Sequence, residues 1–148
     1  MLSDVLTFTS EAFSLEPPVS ERGLRYDLPL GDDIAAYLKE QLECKRVDWE
    51  LSGPFREDYG AVLMLDRAKK VFTVTVSWQG GNSWALVFGQ SHGCIGWLFR
   101  RKSDAQSLNE IKGLVDQVVT NEPLRFQTPR WIADADFYGL ASHFVIPE

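Results

Sequence analysis

The stretch Gly89–Trp97, GQSHGCIGW, sets a histidine and a cysteine two positions apart among three glycines. A nucleophilic thiolate needs a base within hydrogen-bond reach, and residues two apart on a strand point to the same face. Cys94 as nucleophile with His92 as base is therefore the one thiol-enzyme reading the chain offers. Against it, side chains along one strand diverge, and a cysteine beside Ile95 and Trp97 packs readily as a small hydrophobe. The reading taken is that the chain has no catalytic residue. A metal site would have to draw on Cys44, His92, Cys94 and His143, which lack the paired spacing of structural zinc ligands. Gly89, Gly93 and Gly96 match neither a dinucleotide fingerprint nor a P-loop, so they read as turn, bulge or close-approach positions. No metal and no cofactor is expected.

Carboxylate pairs occur at Asp32-Asp33, Glu57-Asp58 and Asp134/Asp136. Two carboxylates at a suitable distance could do acid-base hydrolysis, but adjacency in sequence does not set that distance. Asp32-Asp33 suits the start of a helix and Glu57-Asp58 a polar turn. The five tryptophans are many for this length, and aromatic side chains dominate both cores and contact surfaces. Trp49, Trp78 and Trp84 fit the inner faces of strands. Trp131 lies in TPRWIADADFYG, an aromatic and acidic stretch suited equally to a protein contact and to packing over a sheet. Glu57, Asp58, Tyr59, Trp131, Asp134 and Asp136 are thus the candidate partner-binding residues.

The elements that must position these residues are legible as changes of period. VLTFTS, with Leu6 and Phe8 on one face, reads as a strand, and the turn-rich LEPPVSERG then wraps the surface. GDDIAAYLKEQLECK carries Ile34, Leu38 and Leu42 at spacings of four, which predicts a helix over about 32 to 44 with Asp32 or Asp33 as N-cap. RVDWELS alternates as a half-buried strand, GPFREDYG reads as a polar turn, and AVLMLDR, KVFTVTVSW and SWALVFGQ follow as strands, the last two joined at QGGN. CIGWLFR is a plausible further strand. Ser103 with Gln106 forms a capping-box pattern, and Leu108, Ile111, Leu114, Val115, Val118 and Val119 make one apolar helical stripe. Gly113 inside it implies close packing or simple tolerance. Pro123 stops that helix, and LRFQ reads as a possible edge strand. The expected fold is α+β, with about five antiparallel strands in a meander and an N-terminal and a C-terminal helix on one face. One domain spans 1–148, with 1–30 a wrapping segment and 124–148 a tail.

The chain has 148 residues, 45% of them hydrophobic, which suffices for one core and excludes a disordered or collagen-like chain. It has no membrane-length apolar run and no leader-like N-terminus, and two distant cysteines give no disulfide framework. A cytoplasmic setting without membrane contact is expected. The formal charge of −6 opposes a general affinity for nucleic acid and favours a basic protein partner. The oligomeric state is left open.

LPLGDDIAAYL, then REDYG, then GWLFRRKSDAQSLNEIKGLVDQVV resembles a group of small uncharacterised bacterial proteins. In that group an L-P-x-G-[DE]-D segment opens a helix, an E-D-[WY]-G turn follows, and an L-F-R-R step leads into the last long helix. The likeness covers about residues 28 to 131 and implies a bacterial, single-domain, cytoplasmic protein, with no catalytic residue carried over. In fold and charge the chain also looks like secretion chaperones and toxin-immunity proteins. The resulting expectation is a non-enzymatic protein-binding domain, an adaptor of that kind, whose acidic surface engages a basic partner. A thiol enzyme using Cys94 and His92, or a small-ligand binding protein, is the alternative.

Overall fold

The computed structural model describes residues 2–91 and 104–141. In chain order the elements are β1 (Val5–Thr9), α1 (Asp32–Cys44), β2 (Glu50–Glu57), β3 (Gly60–Arg67), β4 (Lys70–Trp78), β5 (Ser83–Ser91), α2 (Ala105–Thr120), β6 (Gln127–Ile132) and α3 (Asp134–Ala141). All strand pairs are antiparallel and form one open sheet in the order β2-β3-β4-β5-β1-β6.

The α+β class and the antiparallel sheet agree with the sequence, but the sheet has six strands rather than about five, and it is more than a meander. Strands β2 to β5 do run as consecutive hairpins. β1 then adds beyond β5, so the first strand lies inside the sheet, and β6 returns beside it as the far edge. The proposed strand CIGWLFR, with His92, Cys94 and Trp97, lies outside the described residues.

Strand alternation sorts the sheet into two faces. Leu6, Phe8, Leu63, Leu65, Phe72, Val74, Val76, Trp84 and Leu86 face one way and are buried, as the cross-strand pairs Leu6↔Leu86, Val76↔Leu86, Leu63↔Val74 and Leu65↔Phe72 require. Onto this face α1 sets Ile34, Ala35, Leu38 and Leu42, and α2 sets Ile111, Val115, Val118 and Val119, in one continuous core. On the opposite face α3 lays Phe137 against Val5 and Ala85.

Local chemistry departs from expectation at four places. The N-cap of α1 is Gly31 in the left-handed conformation, not Asp32 or Asp33, because a Cβ at Gly31 would run into Val76 and Trp84. Helix α2 is capped by Asp104, whose carboxylate accepts the Ser107 N–H at 3.1 Å and binds Lys70 at 2.8 Å, while Ser103 lies outside the described residues. Most of GPFREDYG is strand: β2 continues to Glu57 with a register shift between Ser52 and Phe55. An edge strand can absorb Gly53-Pro54 there because its outer side needs no donor. The edge strand expected at LRFQ begins three residues later, at Gln127, since Phe126 is buried in the core and Leu124 projects into solvent. Around Gly113 a Cβ would meet nothing within 4 Å, so tolerance rather than close packing explains that glycine.

Candidate functional site

The chain between β1 and α1 is fastened at both ends. Phe13 is buried, with its ring 5.9 Å from Tyr37 and 5.6 Å from Phe126, and the Ser14 N–H donates to the Asp33 carboxylate at 2.8 Å. At the other end Leu30 is buried and its carbonyl accepts the Ala61 N–H at 2.9 Å. Between these anchors the backbone turns on itself. Val19 bridges Arg25, Tyr26 N–H donates to the Pro18 carbonyl, and the Ser20 carbonyl accepts from Gly23, whose φ is +80°. Arg56 on β2 ties this small hairpin down by donating to the Val19 carbonyl at 3.1 Å and to Asp32 at 3.0 Å.

Beside it stands the β2–β3 hairpin, closed by the Glu57↔Gly60 pair with Asp58 and Tyr59 as its turn. Gly60 has φ +152°, and a Cβ there would collide with the Val76 carbonyl oxygen. Asp58 and Tyr59, just before it, are both exposed. Two adjoining clefts of about 610 and 500 Å³ run between the two hairpins and share Ser20 and Tyr26. Three exposed large apolar side chains line them, Leu24 at 70% exposure, Phe55 at 46% and Leu28 at 43%, and the exposed Tyr59 (63%) and Val19 (48%) directly adjoin the lining residues Asp58 and Ser20 in the chain. Segments 19–32 and 55–59 together carry five carboxylates against three guanidinium groups.

The candidate residues therefore fall into two groups. Glu57, Asp58 and Tyr59 sit together at the β2 edge. Trp131, Asp134 and Asp136 sit at the β6 edge, five strand spacings of about 4.8 Å away. Trp131 is half-buried: its indole N–H donates to Asp116 on α2 at 2.8 Å and its ring lies 5.4 Å from Phe88. Asp134 and Asp136 occupy the first turn of α3, where the Asp134 N–H is taken up by Asp4. Val19, Leu24, Leu28 and Phe55 were not singled out by sequence. The signal pointing to the first three is that LEPPVSERGLRYDLPL keeps bulky residues within a turn-rich stretch, while Phe55 lies in GPFREDYG, which reads as a polar turn.

The other charged clusters fasten elements together. Arg67 lies over the Trp49 ring at 3.8 Å, grips Glu110 with two nitrogens at 3.0 and 2.6 Å, and reaches Asp48 at 3.0 Å. The Arg67 guanidinium holds the Glu110 carboxyl below its ordinary range. Lys70, then the Ser107 donors, hold Asp104 well below the usual carboxylate range. Burial, reinforced by Glu122, raises the Tyr37 phenol. None of these groups is brought toward neutrality, where an acid-base catalyst works best. Among the described residues no three His, Cys, Asp or Glu side chains converge as a metal site, and Cys44 is an exposed free thiol. No described helix is long and apolar enough to cross a membrane. No protein-family model matches the chain, and neither a curated protein nor a solved structure is significantly similar to it.

Proposed function

We propose that the chain is a non-enzymatic protein-binding domain, an adaptor that takes a basic, apolar segment of a protein partner into the clefts between the 18–26 hairpin and the β2–β3 turn. The observation that carries this reading is that Leu24, Leu28 and Phe55, all substantially exposed, line two adjoining clefts, with exposed Val19 and Tyr59 next to lining residues in the chain. Contact surfaces draw their affinity from apolar and aromatic anchors seated in pockets. The acidic excess at this end, within a chain of net charge −6, sets the sign of the partner and hastens its approach.

The sheet edges favour side-chain docking over strand addition. β2 is interrupted by Pro54 and carries Glu50, Arg56 and Glu57, and β6 contains Pro129 and Arg130. Proline and charge on an edge strand discourage another strand from pairing there. The test is a pull-down at low and moderate salt with the natural chain and with Leu24→Asp/Tyr59→Ser. A salt-sensitive partner recovered by the first and lost by the second, at unchanged Tm, supports the assignment. Equal recovery by both proteins contradicts it.

A further inference from the structure

At the opposite edge, on the face of the sheet away from α1 and α2, a cleft of about 560 Å³ lies where β5, β1 and β6 pass α3. The register decides which side chains enter it. Thr7 pairs with Ala85 on one side and Arg130 on the other, Thr9 pairs with Ser83, and Val5 pairs with Ile132. Thr7, Thr9, Ser83, Arg130 and Ile132 therefore share one face, and Phe137 of α3 forms an apolar wall beside them.

The floor is chemically divided. Ile132 and Phe137, the latter buried against Val5 and Ala85, supply the apolar part. Two of the hydroxyls already have backbone partners: Thr7 donates to the Arg130 carbonyl at 3.2 Å, and Thr9 lies 3.4 Å from the Gln127 carbonyl and 3.3 Å from the Thr128 hydroxyl. Arg130 is the one charged side chain among the described residues that line the cleft. Its guanidinium makes no hydrogen bond or ion pair with any described residue.

We propose that this cleft binds a small amphipathic monocarboxylate, with the carboxylate on the Arg130 guanidinium and the apolar body along Ile132 and Phe137. A guanidinium presents a planar fork that matches a carboxylate with two parallel N–H···O bonds. A phosphate group carries more charge than one exposed arginine neutralises, and the net charge of −6 repels multivalent anions. The volume falls within the range of about 300–1,000 Å³ common for small-molecule sites. This site is separate from the docking clefts and does not depend on them.

The experiment is a calorimetric or ligand-observed NMR titration of the full chain with octanoate and with octanamide, repeated on Arg130→Gln and on Lys69→Gln, an exposed position outside the cleft. Octanoate should bind the natural chain with a Kd of about 0.1–1 mM, as expected of one exposed ion pair and a modest apolar contact. Octanamide should bind at least about tenfold more weakly. Arg130→Gln should erase the difference between acid and amide, whereas Lys69→Gln should keep it. No saturable binding of octanoate at millimolar concentration overturns the proposal. Equal binding of acid and amide by the natural chain, or an acid preference that survives Arg130→Gln, overturns it as well.

Discussion

Tyr59 and Gly60 are neighbours with opposite duties. Tyr59 projects from the turn and is 63% exposed, whereas Gly60 occupies a φ of +152° hard against the Val76 carbonyl. Tyr59→Ala should therefore change unfolding free energy by no more than about 0.5 kcal/mol while weakening partner capture. Gly60→Ala should cost at least about 1–3 kcal/mol, read by urea unfolding, because it adds both backbone strain and a collision. Equal stability of the two variants would contradict these assignments. The Arg67–Glu110 pair makes a pH-dependent prediction. The folded carboxyl of Glu110 titrates below its ordinary value of 4.5, so the native state is favoured most above that value. The contribution fades as pH falls through the depressed folded value, and Asp104 with Lys70 behaves alike. Stability should fall on acidification from about pH 5, and Glu110→Gln should fall less steeply over the same window. Thermal melts across that range read the slopes.

At the scale of elements, the aromatic cluster of Phe8, Phe13, Tyr37 and Phe126 carries more than its size suggests. Phe126 meets Phe8 at 4.9 Å, Phe13 at 5.6 Å and Tyr37 at 5.8 Å, joining β1, the N-terminal loop, α1 and the end of α2. Phe126→Ala should cost about 3–5 kcal/mol and should also hasten amide exchange in residues 15–28, because it removes the ring against which Phe13 anchors that loop. Exchange that stays unchanged there would show that Leu30 and Arg56 suffice. Helices α1 and α2 and strands β3 to β5 were legible because their periods are set locally, by Ile34, Leu38 and Leu42 or by Phe72, Val74 and Val76, whereas the short α3 fell within what read as a tail. What was illegible depends on distant partners. Gly31 caps α1 because Trp84 leaves no room for a side chain, and β2 runs through Pro54 because it lies on an edge. The 18–26 hairpin is held by an arginine 37 residues from Val19. The clefts inherit that dependence: the segment carrying Val19 and Leu24 is fastened on either side by buried Phe13 and Leu30, which no local pattern reveals.

At the scale of the whole molecule, strand order separates two surfaces that sequence could only pool. Insertion of β1 beyond β5 carries Trp131, Asp134 and Asp136 to the edge opposite Glu57, Asp58 and Tyr59. The acidic positions are therefore divided between two ends, and among the described residues Leu24, Leu28, Phe55 and Tyr59 stand exposed at the β2–β3 end. Under the proposed function the β2–β3 end is the docking face, and photo-crosslinking tests that proposal most directly. A benzophenone amino acid replaces either Tyr59 in the docking turn or Lys69 in the exposed β3–β4 turn, and each protein is irradiated in lysate at low and moderate salt. Docking at the β2–β3 end should give a discrete adduct from position 59 that weakens as salt rises, and none from position 69. The same adduct from both positions, or an adduct from position 69 alone, would contradict it.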